Sequence, residues 1–284
     1  MMLSFYGIKK TQKEIADEIR PIQHPKGKND DKAVFPKEIV NYLEKFGLEA
    51  KYRVNGDVDL LKIFISNEIP VIVKTWLKKG GDMGHYRVIR GFGKTKKFFK
   101  EIKVLIIDDS YFGSNHKIDY ELFDSVWQPF NRAYIPVYKK EKEEVVREIL
   151  GENWDEKIMY QKAVDRAKKD NNWFNLGTSY FALGEYGKAK EAFEKSREIG
   201  WPKRMLWYQI EPIKTYNKLG EYDQVFEMIQ EVFESGNPTF SELYYERGLA
   251  YLVLGEKGKA KSEFELALKY NKNFSPAKEA LGKP

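Results

Sequence analysis

The spacing of apolar residues changes once along the chain and divides it into two parts. Up to residue 138, short stretches with a helical period are followed by β-branched and aromatic runs that end at Gly, Asp or Asn turns. Helices before strands are typical of an α+β domain with an antiparallel sheet. The predicted helices are 11–20, 35–46, 58–65 and 120–127, and the predicted strands are 50–54, 70–76, 86–92, 104–108 and 133–138, with a polar loop at 27–31.

The second part, from residue 139 onward, has only helical patterns and contains a repeated motif. Its first copy has the spacing W-x2-L-G-x2-Y followed by A-x3-F. The first copy is Trp173, Leu176, Gly177, Tyr180, Ala189 and Phe193; a later copy is Tyr244, Gly248, Tyr251, Ala260 and Phe264; a degenerate middle copy contains Tyr216, Val225 and Ile229. This spacing resembles that of the tetratricopeptide repeat.

The resemblance implies an all-α array of helix pairs. Small residues such as Gly177 and Ala189 let two helices cross closely, and three or four pairs stack because one pair cannot bury its apolar face alone. A helix at 275–281 would cap the array, whose concave side takes up peptides. The expected partner is therefore a peptide or a protein, and an ordinary helical bundle is the alternative fold.

The amino-acid composition excludes several kinds of chemical site but says less about the fold. The chain has no cysteine, which excludes disulfides, thiolate zinc sites and a thiol nucleophile within this sequence. The net charge of +6 arises from 49 basic and 43 acidic residues that interleave along the helices, which favours solvated helix faces over a nucleic-acid surface. A charged fraction of 32% without cysteine also follows the trend of thermophilic proteins.

The sequence contains no run of apolar residues that could span a bilayer, so no membrane partner is expected. The first residues have neither a basic leader nor a cleavage site of small residues, which predicts a cytoplasmic protein for the chain as given. A secreted or membrane-associated protein is the alternative if a further segment precedes Met1.

Several segments of the N-terminal part resemble one known family. Residues 3–7 and 11–16, LSFYG and TQKEIA, resemble the end of the nucleophile helix and the next segment of papain-like cysteine peptidases, of the type that processes bacteriocin leaders. Residues 70–73 resemble the central strand of that family, 84–92 its histidine strand, and 106–113 the strand that ends in its acidic residue. The resemblance covers about residues 1–138.

The resemblance implies a site in which a cysteine thiolate attacks a peptide carbonyl, a histidine transfers the proton and an acidic residue orients the imidazole. By position, His85 is the expected base and Asp109 its expected orienter, with Asp108 as the fallback for the second role. A lone histidine at the start of a strand is more often structural, so the assignment depends on the motif around it.

The nucleophile of the family has no counterpart in this sequence. In the family, a Cys-Gly-Pro-like turn begins the helix whose last turns residues 1–6 resemble, and Ser4 lies too far along that helix to replace the cysteine. One hypothesis is that the native protein starts upstream and is a cysteine peptidase whose repeats present a substrate. The other is a non-catalytic scaffold in which both domains bind partners. As given, the chain is expected to lack thiol peptidase activity.

No cofactor or metal site is predicted, because the sequence has neither a phosphate-binding Gly loop nor the His and carboxylate spacing of a metal site. His24 and His116 are expected in polar loops. The basic stretch 94–100 is expected to be an exposed hairpin whose rings, Phe98 and Phe99, face the core. We therefore predict a papain-like α+β domain at 1–138 and a tetratricopeptide-type array at 139–284, joined by a charged linker at 139–144.

Overall fold

The computed structural model describes residues 1–20, 34–97 and 99–282. His24, Phe98 and the predicted loop 27–31 lie outside these described residues. The chain divides into two compact units: the first consists of Met1–Lys9 and Pro36–Leu183, and the second of Lys10–Phe35 and Gly184–Pro284. The second unit therefore contains a short segment from near the start of the sequence.

One antiparallel sheet of six strands forms the centre of the first unit, in the order β1-β6-β2-β3-β4-β5. Val71, Val73, Ile89 and Leu105 are fully buried on these strands, as expected of a sheet that is covered by helices. The strands are β1 Leu48–Ala50, β2 Val71–Trp76, β3 Gly84–Lys97, β4 Lys100–Asp109, β5 Gly113–Asp119 and β6 Tyr134–Lys139.

The helices of the chain, numbered in sequence order, are α1 Met2–Phe5, α2 Gln12–Ile19, α3 Pro36–Glu44, α4 Val58–Ser66, α5 Tyr120–Trp127, α6 Glu143–Leu150, α7 Glu156–Lys169, α8 Trp173–Ala182, α9 Tyr186–Ile199, α10 Glu211–Leu219, α11 Tyr222–Glu234, α12 Ser241–Val253, α13 Lys257–Tyr270 and α14 Ser275–Ala280. Side-chain caps fix several of their starts. Asp57 accepts a hydrogen bond from the backbone N–H of Leu60 at the start of α4, and Asp119 does the same from Leu122 at the start of α5.

The predicted α+β fold with helices before an antiparallel sheet is confirmed, and helix 120–127 is observed as predicted. Two strands differ from the prediction. The strand expected at 50–54 is shifted to Leu48–Ala50, and Arg53 forms an isolated bridge to Tyr134. Strand β5 was not expected, so His116 lies on a strand and stacks on the ring of Phe112 instead of lying in a loop.

The basic hairpin between β3 and β4 forms, but Phe99 does not face the core. Its side chain is fully exposed, because the residue is at the turn with a φ of 66° and projects away from the sheet. The prediction for this ring is therefore wrong.

The stretch expected to be a linker, 139–144, is ordered secondary structure. It contains the end of β6, a short 3-10 turn at Lys140–Lys142 and the start of α6. Helix α6 buries Val146 and Leu150 in the same apolar cluster as Phe64, Trp127 and Tyr138 of the first unit. After residue 36 the compact units divide at Leu183 and Gly184. The division into domains at 1–138 and 139–284 stays a prediction.

The second unit is built from helix pairs, and the all-helical array predicted for the C-terminal part is confirmed. Helix α12 crosses α13 so closely that a Cβ at Gly248 would lie 2.5 Å from Cε1 of Phe264. Tyr216, Val225, Ile229 and Phe240 share one buried cluster, and Tyr244 and Phe264 belong to another. The predicted terminal helix is α14. Among the described residues, no helix combines the length and the apolar character that crossing a bilayer requires.

Candidate active site

The strand β3 places two polar side chains on one face of the sheet. His85 and Arg87 are two residues apart, and side chains at this spacing point to the same side of a strand. His85 pairs with Thr75 of β2 in the sheet register. The imidazole is 17% exposed, so it is accessible from solvent on one side, whereas Arg87 is buried.

The strand β4 ends at Asp109, whose carboxylate is fully buried beside these two side chains. The distance from Nε2 of His85 to Oδ1 of Asp109 is 3.0 Å. The other carboxylate oxygen, Oδ2, accepts a hydrogen bond of 2.7 Å from Nε of Arg87. The structure thus brings together the two residues that the sequence motif singles out, and adds an arginine to them.

The turn after β4 also holds the carboxylate of Asp109. Its Oδ1 accepts hydrogen bonds from the backbone N–H groups of Tyr111, at 2.7 Å, and Phe112, at 3.0 Å. Such a side-chain contact to the backbone two and three residues later is the usual Asx turn. Each oxygen of Asp109 is therefore fixed in direction before any substrate is present.

Two opposing effects act on the pKa of Asp109. Burial raises the pKa of the carboxyl, while the hydrogen bonds from Arg87, Tyr111 and Phe112 and the charge of His85 lower it. The lowering effects prevail, so the pKa of Asp109 lies below its ordinary value. Asp109 is consequently a carboxylate at neutral pH.

The charge of Asp109 determines which nitrogen of His85 bears the proton. An ionised carboxylate only accepts hydrogen bonds, so Nε2 of His85 is the donor in this pair. In the neutral ring the lone pair is then on Nδ1, which forms no hydrogen bond with any described residue. Nδ1 is therefore the ring nitrogen of His85 that can still accept a hydrogen bond.

Arg87 was missed in the sequence, although it fixes the position of Asp109. Its guanidinium donates to Oγ1 of Thr75 at 2.6 Å, to the backbone oxygen of Trp76 at 3.1 Å and to that of Leu77 at 2.7 Å. A buried arginine with this many partners has little freedom to move. The only available signal was the spacing of two residues from His85, which puts both on one strand face.

Asp108, the fallback for the orienting role, does not contact His85. Its Oδ2 accepts a hydrogen bond of 2.9 Å from Arg90, and its Oδ1 accepts one of 3.1 Å from the backbone of Asn115. Successive side chains of a strand point to opposite faces, so Asp108 and Asp109 cannot both reach the histidine. The geometry is compatible with Asp109 in that role and not with Asp108.

Other polar groups of the first unit lie apart from this pair. The hydroxyl of Ser4 is exposed and forms no hydrogen bond with a described residue. A cleft of about 600 Å³ opens beside α1, with Tyr6, Arg90 and Lys142 in its wall, and neither His85 nor Asp109 lines it. Over the residues that the structure describes, no three His, Asp or Glu side chains are grouped as a metal would require.

Comparison with known families agrees with these observations. The sequence model of the Peptidase_C39 like family matches residues 1–135. Two models of the tetratricopeptide repeat match residues 171–199 and 241–274. No curated protein matches the chain. The chain therefore combines a Peptidase_C39-like domain with tetratricopeptide repeats, which confirms the fusion inferred from the sequence.

Proposed function

We propose that this chain is a peptidase-like protein that binds peptide or protein segments through its repeats and holds the proton-transfer half of a cysteine peptidase site. The observation that carries the proposal is the contact of His85 with a buried Asp109 at 3.0 Å. A base and its orienter in this arrangement are the partners that a thiol nucleophile needs. The match of residues 1–135 to a peptidase-like family supports the same assignment.

In this proposal His85 is the base and Asp109 is its orienter. Nδ1 of His85 accepts the proton of a nucleophile, and Asp109 stabilises the imidazolium that results. Arg87 is a positioning residue, because it touches Asp109 and not the reacting atoms. The sequence itself contains no cysteine, so this polypeptide is expected to have no thiol peptidase activity.

The repeats supply the binding part of the proposal. Arrays of this type use an extended surface of stacked helix pairs to hold peptides or proteins, and one pair alone cannot form that surface. The two matched repeats and the helix pair α10–α11 between them support such an array. A peptide held there is the proposed ligand, whether or not it is cleaved.

The experiment that tests the catalytic part is labelling with a thiol-reactive probe. It uses the present sequence and a form extended upstream to the nearest in-frame start, each as wild type and as His85→Ala. Labelling of the extended form alone, lost in His85→Ala, would support the peptidase assignment. His116→Ala is the matched control, because this half-buried histidine forms no hydrogen bond with Asp109 and its loss should leave labelling unchanged.

A non-catalytic scaffold is the second candidate, and the absence of cysteine from the sequence favours it. Here the papain-like domain would bind a partner without cleaving it. If neither form is labelled while both bind peptides in a binding assay, the scaffold replaces the peptidase. If the extended form is labelled through His85, the scaffold is abandoned.

A further inference from the structure

The second unit contains a segment that is distant from the rest of it in sequence. Residues 10–20 and 34–35 belong to this unit, whose other residues begin at Gly184. Within the segment, Thr11 and Glu14 form a capping box that starts α2. Helix α2 has only eight residues, and none of its side chains is buried.

One contact of this segment is a buried ion pair. The guanidinium of Arg20 faces Glu242 in the first turn of α12, and both carboxylate oxygens accept hydrogen bonds from it. The side chains are 4% and 10% exposed, so the pair is shielded from water. A two-pronged contact between a guanidinium and a carboxylate gives direction as well as strength to recognition.

Aromatic and backbone contacts lie beside this ion pair. The ring of Phe35 stacks on that of Phe240 with centroids 6.0 Å apart, and the guanidinium of Arg20 lies 5.9 Å from the centre of the Phe35 ring. The side-chain amide of Asn273 donates to the backbone oxygens of Glu18 and Ile19, at 3.0 and 3.2 Å. These carbonyls at the end of a helix have no partner inside the helix.

We propose that Phe240, Glu242 and Asn273 form a peptide-binding site, here called the docking edge. It is specific for a segment that presents an arginine at the end of a short helix together with an aromatic ring. The chain's own residues 10–20 and 34–35 occupy the docking edge, and a peptide of the same chemistry from another protein competes with them. The proposal rests on the proposed function, since it names the ligand class that the repeat unit recognises.

The nature of the contacts supports exchange with an external peptide. A helix of eight residues is not stable alone in water, so α2 depends on its contacts with the rest of the second unit. Segments with few buried apolar contacts open at a low cost in free energy. Arginine and aromatic anchors surrounded by weaker contacts are also the usual pattern of peptide and protein interfaces.

The test is the binding of a fluorescent peptide with the sequence of residues 10–36 to the full chain, followed by fluorescence anisotropy. The wild-type protein should bind it weakly, because its own segment fills the site. In Phe35→Ala the internal segment loses an anchor without leaving a buried charge, and binding should tighten about tenfold, in proportion to the larger fraction of open sites. Phe99→Ala, on the exposed hairpin, is the matched control and should bind like wild type.

Variants that change the charges of Arg20 and Glu242 test whether the peptide binds at the docking edge. Adding Glu242→Gln to Phe35→Ala should remove the gain, and a peptide carrying Arg20→Glu should not bind to Phe35→Ala. The same peptide should bind again to the combined Phe35→Ala and Glu242→Arg variant, in which the charges are exchanged. Circular dichroism spectra confirm that each variant remains folded before its binding is measured.

Two results would overturn the proposal that the docking edge binds external peptides. Equal binding of the peptide to wild type and to folded Phe35→Ala would mean that the segment is a permanent part of the unit. Binding that ignores Glu242 would place the peptide elsewhere. An array of unrelated peptides, probed with the same proteins, separates this failure from that of the proposed function: array binding without docking-edge binding overturns this inference alone, and no binding to any peptide overturns both.

Discussion

Arg87 and Asp109 form an ion pair that is almost completely removed from solvent, with side chains 2% and 0% exposed and 2.7 Å between Nε and Oδ2. The other two nitrogens of the Arg87 guanidinium donate hydrogen bonds to Thr75 and to the backbone oxygens of Trp76 and Leu77. Arg87 and Asp109 are therefore buried, while His85, which contacts Asp109, is partly exposed to solvent. The orientation of His85 depends on an arginine that it does not touch.

Replacing Arg87 should lower the stability of the folded chain strongly. In Arg87→Met the carboxylate of Asp109 stays buried without its cation, and breaking a buried pair in this way costs roughly 3–5 kcal/mol of the free energy of unfolding. Urea unfolding followed by tryptophan fluorescence measures it. Arg90→Met is the matched control, because Arg90 pairs with Asp108 on the same two strands but is 43% exposed. Its loss should cost about 1 kcal/mol or less, and equal losses in both variants would contradict this account.

The stability of the first unit should depend on Asp109 at acidic pH. Its pKa is lower in the folded chain than the value near 4 of an unfolded aspartate, so it contributes stability above about pH 4 that is lost as pH falls through the folded pKa. Wild type should therefore lose stability more steeply than Asp109→Asn as the pH falls below about 4. Urea unfolding at several pH values provides the comparison.

Asp165→Asn serves as the reference for that experiment, because Asp165 is exposed on α7 and forms no salt bridge with the described residues. This variant should follow the wild-type pH profile. A profile of Asp109→Asn that also parallels wild type would show that Asp109 is not linked to folding.

Glu246 should show the opposite dependence on pH. Burial raises the pKa of this carboxyl, and the nearby Lys214 and Lys218 and the hydrogen bond from Asn217 only partly offset the effect. A raised pKa stabilises the folded chain at low pH, and that contribution is lost as pH rises through the folded pKa. At pH 8, Glu246→Gln should therefore be more stable than wild type, because wild type must keep an ionised carboxylate buried.

Below about pH 4, the difference between Glu246→Gln and wild type should disappear, because the carboxyl is then protonated in both states. Thermal unfolding at pH 4 and pH 8 gives both values. A glutamine variant that is less stable at pH 8 would mean that the ionised carboxylate is favoured inside the array.

The close crossing of α12 and α13 predicts a steric effect. In Gly248→Ala the new methyl carbon would lie 2.5 Å from Cε1 and 2.8 Å from Cδ1 of Phe264, so the ring must move. We expect a loss of about 1–3 kcal/mol, measured by thermal unfolding. Adding Phe264→Leu should recover part of this loss by making room.

Gly258→Ala is the matched control in the neighbouring helix α13, where a Cβ would meet nothing within 4 Å. Because alanine favours helices, this change should be neutral or stabilising by up to about 1 kcal/mol. A stability for Gly248→Ala as high as for Gly258→Ala would contradict the close crossing.

The parts of the fold that the sequence predicted are those with a local cause. Helix α5 begins where Asp119 caps it, and its apolar residues recur with a helical period, so both features were readable. Strand β5 is at the edge of the sheet, and Ile118 is its only buried residue. Its formation depends on backbone pairing with β4, which leaves little pattern in the side chains.

The candidate site was predictable only in part. His85 and Asp109 were found through the resemblance of their strands to a family, and chain spacing alone could not have joined residues on two strands. Arg87 was not found, because a buried arginine looks the same in the sequence as an exposed one on a strand. The packing of α6 was also not readable, because its apolar face does not reveal which core receives Val146 and Leu150.

The contact between Arg20 and Glu242 spans 222 residues of sequence, which has a consequence for biosynthesis. At the usual ribosomal speed of about 5–20 residues per second, Arg20 is made roughly 10–45 s before its partner. During that interval the early segment has no second unit to join, so it is open to chaperones and to other proteins. A fragment that begins at residue 184 would also lack this segment, and its recombinant expression would yield a repeat array with one of its edges uncovered.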